Sequence, residues 1–141
     1  LREALARKVQ LPGGASLVID EREALHTIDV NSGGNVSAQE GMSLALTQNL
    51  SAAGEIARQI RLRNLSGIIL IDFVDMETEE SISSVLEAMQ TACLQDTAKV
   101  VIHGFTSLGL MEMTRKKTGP ALESVSICPH CKGTGLKEEH V

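Results

Sequence analysis

Two strand-like segments of the 141-residue chain end in acidic side chains. The segment HTIDVNSGG places Asp29 and Asn31 two positions apart, and the apolar segment GIILIDFVD carries Asp72 at its end, with Asp75 close behind. Because side chains alternate along a strand, Asp29 and Asn31 lie on the same face, near the carboxyl end. Ligand sites of α/β sheets lie beyond these ends. The two segments are therefore candidates for one shared binding site.

Carboxylates in such positions favour a cation. A charged group at the mouth of a buried strand is costly unless it is paired or bound to an ion. If the two strands are neighbours, Asp29 and Asp72 can converge on one Mg²⁺, which proteins usually hold with one or two carboxylates, waters and a substrate phosphate. The spacing also fits a structural alternative, in which Asp29 caps a loop and Asp72 begins a turn.

The C-terminal segment carries a second candidate metal site. Cys128 and Cys131 form a Cys-x-x-Cys pair in a glycine-rich tail, and three cysteines do not make a disulfide framework. Zn²⁺ takes four ligands, so His130 and His140 can complete a Cys₂His₂ site within one chain. A redox pair is disfavoured because it would normally open a helix after a strand. Cys93 falls on the apolar stripe of a predicted helix and is interpreted as a core residue.

The composition is that of a globular protein with an aliphatic core. Hydrophobic residues make up 43% of the chain, and Phe73 and Phe105 are its only aromatic residues. No apolar run approaches the roughly 18 residues of a membrane span. The N-terminus shows no signal-peptide pattern and begins at Leu1, so we expect a piece of a longer protein from the reducing cytoplasm.

The charge balance argues against a stand-alone nucleic-acid-binding protein. The formal net charge is −5, whereas contacts with phosphate backbones require clustered Lys and Arg. Two local clusters do exist, one formed by Arg58, Arg61 and Arg63 and one at residues 115–117. Each of them can also be no more than a solvated face.

The pattern of apolar residues predicts an α/β fold. We expect a mixed sheet, made of an antiparallel hairpin and parallel strands, with packed helices and an extended Cys-containing tail. The continuous run GIILIDF is typical of a central strand that is covered on both faces. The predicted elements are strands at 15–20 and 24–30, a helix at 42–63, a strand at 67–73, a helix capped by Thr78, a strand at 99–105 and a helix beginning within 106–117.

Four motifs follow one another along the chain: IDVNSG, LRNLSGIILIDFVDM, GLMEMTRKK and CPHCKGTG. In this order they resemble the ribonuclease E/G family, over essentially the whole chain. Residues 1–10 are interpreted as the tail of an upstream segment. The resemblance implies a deoxyribonuclease-I-like catalytic subdomain at 11–119 and a zinc-link tail at 120–141. It also implies a Mg²⁺-dependent endoribonuclease that cleaves single-stranded RNA to 5′-phosphate and 3′-hydroxyl ends, in RNA processing and decay.

The resemblance also implies roles for individual residues. The two metal-binding aspartates of the family fall on Asp29 and Asp72, and its asparagine, which orients the metal ligand or the scissile phosphate, falls on Asn31. Mg²⁺ between the carboxylates would stabilise charge on a phosphate oxygen and activate a water for in-line attack. Arg115 and Lys116 match basic residues that would meet the phosphate.

For the tail, the resemblance implies a zinc site shared between protomers. Cys128 and Cys131 of two chains would form one Cys₄ site, which would make the full-length protein a homo-oligomer. Asp75 matches the second acidic motif and is expected to have a supporting role. Gly34 stands where the family usually has Arg or Lys, a departure that affects RNA affinity rather than the metal site.

Two other functions fit parts of the sequence. CPHCKGTG by itself resembles one repeat of the zinc region of DnaJ, so the chain can be a zinc-dependent assembly module with structural acids. A Mg²⁺ phosphohydrolase of small substrates would use the same two carboxylates. An assembly module, however, has no use for Asn31 and both acids on one face. Given the net charge of −5, we expect the isolated fragment to bind RNA poorly and to cleave it slowly, if at all.

Overall fold

The described residues build one mixed sheet with two α-helices. The computed structural model describes residues 6–33 and 41–117, and only the backbone of 41–43. The elements are β1 (Lys8–Gln10), β2 (Ser16–Glu21), β3 (Leu25–Asn31), α1 (Gly41–Arg63), β4 (Gly67–Asp72), α2 (Glu79–Cys93), β5 (Val100–Phe105) and β6 (Met111–Arg115). The sheet order is β1-β2-β3-β4-β6-β5. β3 and β4 are parallel, and the other neighbouring pairs are antiparallel. The predicted α/β class and mixed sheet are confirmed.

Helix α1 lays its apolar face on the sheet and ends in a defined cap. Ala53, Ile56 and Ile60 are buried in the core, whereas Leu50 of the same helix is 39% exposed. Asn64 ends the helix in the left-handed conformation, with a φ of 52°. The two N–H groups after the helix bond back to carbonyls of its last turn, which is the Schellman arrangement. This cap turns the chain directly into β4.

Helix α2 begins where the sequence predicts it. Thr78 Oγ1 accepts a hydrogen bond from the Ser81 N–H at 3.1 Å, an N-cap that stabilises a helix by about 1 kcal/mol. Val85 and Met89 are buried, and Cys93 packs at the edge of the core, as its interpretation requires. No helix in the described part of the chain is long and apolar enough to cross a membrane.

The last described segment is a strand where the sequence predicted a helix. Thr106 Oγ1 accepts hydrogen bonds from two N–H groups of the following turn, each at 3.2 Å, and β6 comes after this turn. In β6, Met111 and Met113 are buried and Glu112 is exposed, the period of two that a strand requires. The prediction of a helix in 106–117 was wrong because so short an apolar pattern fits both periods.

Within the described residues, the helices cover one face of the sheet. Ile69 and Ile71 of β4 are buried beneath them, but Ile68, on the other face, is 47% exposed. The prediction that this strand is covered on both faces was therefore wrong. The sheet also begins before the predicted boundary at residue 11, because Lys8–Gln10 pairs with β2.

Candidate active site

The register of β3 and β4 brings the two predicted acids together. In this parallel pair the Cα atoms of Asp29 and Asp72 are register partners near the carboxyl ends of the strands. Neighbouring strands lie about 4.8 Å apart, so the two side chains leave adjacent backbones. Both are exposed, whereas Ile28 and Ile71 just before them are buried. The carboxylates therefore share the face of the sheet that the helices leave open.

The described residues contain no partner that neutralises this pair. Neither carboxylate has a hydrogen bond or an ion pair with them. Partial desolvation by the surrounding protein, the negative charge of Asp29 and that of Asp75 raise the pKa of Asp72 above its ordinary value. Like charges disfavour each other's ionisation, and a cation between them removes the repulsion. The donor set thus fits a divalent ion.

The fit is to a metal with few protein ligands. In residues 6–33 and 41–117, no group of three or more His, Cys, Asp or Glu side chains is arranged to hold a metal ion. A metal at Asp29 and Asp72 would have two protein carboxylates and would complete its shell with waters and phosphate oxygens. Mg²⁺ is usually bound in this manner, because it dehydrates reluctantly.

Asn31 extends the polar face beyond the acids. It is the last residue of β3, exposed, and paired with Ser16 of β2. Its Cα lies roughly 7 Å from that of Asp29 on the same face, so its amide can reach a group bound at the carboxylates. Two residues after Asn31, Gly33 packs against the turn before β2. A Cβ on Gly33 would overlap the carbonyl oxygen of Gly14. Only glycine fits there, which explains one glycine of the motif.

Two adjacent residues of α1 hold the segments that follow β3 and β4. Asn49 is fully buried; its Nδ2 donates to the Val74 carbonyl at 2.8 Å, and its Oδ1 accepts from the Val74 N–H at 2.9 Å. Gln48, also buried, donates from Nε2 to the Gly33 carbonyl at 3.4 Å. Its Oε1 has no hydrogen-bond partner among the described residues. Sequence reasoning missed both residues, although two amides within an apolar helical stripe were a usable signal.

Arg115 lies at the opposite end of β4 from the acid pair. Its register partner is Gly67, five residues before Asp72, which is roughly 16 Å along the strand. The buried guanidinium donates two hydrogen bonds to the Asp96 carboxylate, at 2.8 and 3.1 Å, and two more to the cap of α1. A contact of Arg115 with RNA phosphate stays a prediction, and this geometry gives it no support.

The other predicted site residues lie away from the acids or outside the described residues. Lys116 is exposed after β6, at the same end of the sheet as Arg115, and its N–H donates to the Lys99 carbonyl at 2.9 Å. Cys128 and Cys131 lie outside the described residues, so the zinc site stays a prediction.

Comparison with known families agrees with the motifs that surround the acids. The model of the Ribonuclease E/G family matches residues 1–118. The chain belongs to the ribonuclease E/G family. The resemblance that the four motifs indicated is thereby confirmed, and Asp29 and Asp72 both lie inside the matched region.

Several individual members of the family are similar to this chain. Ribonuclease G of Escherichia coli (strain K12) is 44% identical over 137 residues, which cover 96% of this chain and 28% of that protein. Ribonuclease G of Haemophilus influenzae is 42% identical with the same coverage. Ribonuclease E of Escherichia coli (strain K12) is 42% identical over 142 residues, covering 99% of this chain and 13% of that protein. The chain thus spans less than a third of the length of these relatives.

Proposed function

We propose that this chain is the catalytic part of a Mg²⁺-dependent endoribonuclease that cleaves single-stranded RNA in cytoplasmic RNA processing and decay. The observation that carries the proposal is the register pairing of Asp29 with Asp72 at the carboxyl ends of two parallel strands. The relatives are named ribonucleases, which supports RNA as the substrate. The uncompensated carboxylates support a divalent cation as the cofactor.

The reaction is hydrolysis of a phosphodiester. Water attacks the phosphorus atom, the bond from phosphorus to the 3′ oxygen breaks, and that oxygen takes up a proton, which leaves a 5′-phosphate and a 3′-hydroxyl. Asp29 and Asp72 would hold Mg²⁺, which when bound supplies charge stabilisation at the phosphate and lowers the pKa of a bound water. Asn31 donates from its amide to the scissile phosphate and so orients it. The face without helices gives the RNA access to these three residues.

The zinc link is a second part of the proposal. Cys128 and Cys131 of two protomers would form one Cys₄ zinc site, the closed arrangement of structural zinc. This site would join the full-length protein into a homo-oligomer. It has no part in the chemistry at the acid pair, so the two sites can be disrupted separately.

The test is Asp29→Asn in the full-length protein. Because the metal ion supplies several kcal/mol of stabilisation in such sites, we expect cleavage of a single-stranded oligoribonucleotide to fall by at least about 100-fold. Asp20→Asn is a matched control, since Asp20 lies on β2 and is paired with Arg7 at 2.7 Å. Its cleavage rate should stay close to that of the wild type.

A contrasting variant separates the nuclease from an assembly module. Cys128→Ser should lower zinc content and oligomer size first, while Asp29→Asn leaves both unchanged. Full cleavage by Asp29→Asn would overturn the proposal. A wild-type protein that assembles with zinc but cleaves no RNA in Mg²⁺ would favour the assembly module instead.

A further inference from the structure

A cleft of about 290 Å³ opens at the edge of the sheet that carries the acid pair, between the segment after β4, the start of α2 and the turn that joins β5 to β6. Its apolar wall includes Phe73, Met76, Ile82 and Phe105. Its volume lies just below the range of small-molecule sites, roughly 300 to 1,000 Å³. The cleft therefore suits one flat ring system rather than a larger ligand.

The cleft lies at the same edge of the sheet as the acids. Phe73 directly follows Asp72 in the chain, and the register pairs Met111 with Ile71 of β4 and with Phe105 of β5. The carboxylates face the side without helices, and the cleft lies on the helix side of the same edge. A nucleic-acid strand that crosses this edge can reach both.

Both aromatic residues of the chain meet in this cleft. The ring centroids of Phe73 and Phe105 are 6.3 Å apart, and the ring planes are tilted by 50°. Phe73 is buried and supports Phe105, which is half-buried and presents part of its ring to the cleft. Exposed aromatic faces are the platforms on which unpaired bases stack.

The cleft also carries polar groups. Asp75 and Ser107 line it and are exposed. A carboxylate accepts hydrogen bonds from the N–H groups of a base edge, and a hydroxyl can donate or accept. Asp75 is fixed from behind, because the Asn49 side chain binds the backbone of the preceding residue, Val74.

We propose that this cleft binds one unpaired nucleobase of the RNA, from a nucleotide next to the scissile phosphate. The base stacks on Phe105, and its N–H edge donates to the Asp75 carboxylate. This inference rests on the proposed function, since it places the base by its distance from the acid pair. It makes Phe105 and Asp75 determinants of where the RNA is cut.

The test combines base removal with ring removal in the full-length protein. The substrates are oligoribonucleotides that carry a single abasic nucleotide at successive positions around the cut. Their cleavage is measured with the wild type, Phe105→Leu and Phe105→Tyr. For the wild type, one abasic position should lower kcat/KM roughly 5- to 150-fold. Phe105→Leu should lower kcat/KM on intact RNA similarly and show no further loss at that position. Phe105→Tyr keeps the ring and should therefore keep the loss at the abasic position that Phe105→Leu abolishes.

A binding measurement keeps the inference testable apart from catalysis. The dissociation constants of the same oligonucleotides, measured without added Mg²⁺, should show the same non-additive pattern. Asp75→Asn, an exposed substitution, should change the preference among bases at that position even if Phe105→Leu does not fold. Additive losses at every position, or no loss for any abasic nucleotide, would overturn the cleft assignment. Failure of the wild type to cleave intact RNA would instead overturn the proposed function, and the pattern of RNA binding without added Mg²⁺ would then decide the cleft.

Discussion

The two ends of strand β4 differ in whether the acidic side chains near them have a cationic partner among the described residues. Near its amino end, the Asp96 carboxylate lies 2.8 Å from the Arg115 guanidinium, and both side chains are only 4% exposed. At its carboxyl end, Asp72 lies beside Asp29 and near Asp75, and no described residue pairs with it. Strand β4 thus separates a charge that is compensated inside the protein from charges that no described residue compensates.

The pKa values follow this difference. Burial by itself would raise the pKa of Asp96, but hydrogen bonds from Arg115 and the Ala98 N–H, with the positive charge of Arg115, lower it below its ordinary value. For Asp72, burial and the charges of its acidic neighbours all raise the pKa. A compensated acid stabilises the fold, whereas an uncompensated group of acids fits a site for a cation from outside. Position alone does not distinguish a catalytic aspartate from a structural one; its partners do.

The largest effect is expected from Arg115→Met, which removes the cation at the compensated end. The buried Asp96 carboxylate would lose its partner, so the free energy of unfolding should fall by about 3–5 kcal/mol, as measured by urea denaturation. Lys116→Met changes the exposed neighbour and is the matched control. It should alter the free energy of unfolding by less than about 0.5 kcal/mol.

The same variants test the predicted contact of Arg115 with RNA. Normal stability of Arg115→Met, combined with a loss of RNA binding, would assign the side chain to the substrate and contradict the structural role. The double variant Asp96→Leu with Arg115→Met replaces both charges with apolar groups. It should recover part of the stability that the single variant loses.

A smaller effect is expected from Asn49→Leu at the acid end. The partly buried N–H and C=O of Val74 would lose their partners, which should cost about 1–3 kcal/mol of unfolding free energy. The segment that carries Asp75 would also lose its support, so RNA cleavage should fall. Ser51→Ala, at an exposed position of the same helix, is the control in both assays. Unchanged stability of Asn49→Leu would show that other contacts hold this segment.

The acid pair could be predicted from the sequence because the patterns that indicate it are local. Apolar runs marked β3 and β4, and alternation put Asp29 and Asn31 on one face. The meeting of Asp29 and Asp72 followed only on the condition that the strands are neighbours, which the parallel register satisfies. The deciding information was the order of the motifs, which indicated the family.

The supporting contacts were not predictable, because they join distant positions. Arg115 pairs with Asp96 across 19 residues, and Asn49 bonds to Val74 across 25 residues. No short pattern indicates such partners, so a basic cluster at 115–117 looked like a surface for phosphate. The strand β6 was missed for a related reason. Its few alternating residues form a strand because they pair with β4 and β5, which are distant in the sequence or not recognisable as partners from it.

Asp72→Asn is expected to have the smallest effect on the free energy of unfolding. It is also the most direct test of the difference between the two ends of β4. Because the pKa of Asp72 is raised in the fold, its ionised form destabilises the native state above that pKa. In metal-free buffer, Asp72→Asn should therefore raise the free energy of unfolding at pH 7, by less than about 1 kcal/mol for an exposed group. The gain should vanish as the pH falls below the ordinary carboxyl value, where Asp72 is protonated in both states.

Asp96→Asn should show the opposite sign in the same pH series. The pKa of Asp96 is lowered in the fold, so its stabilisation is present above the ordinary carboxyl pKa and is lost as the pH falls through the lowered value. Added Mg²⁺ should stabilise the wild type by linkage and Asp72→Asn less, because only the wild type offers two ionised carboxylates to the ion. Destabilisation by Asp72→Asn at pH 7 without metal would mean that the carboxylate already has a partner within the protein, and the two ends of β4 would then be alike.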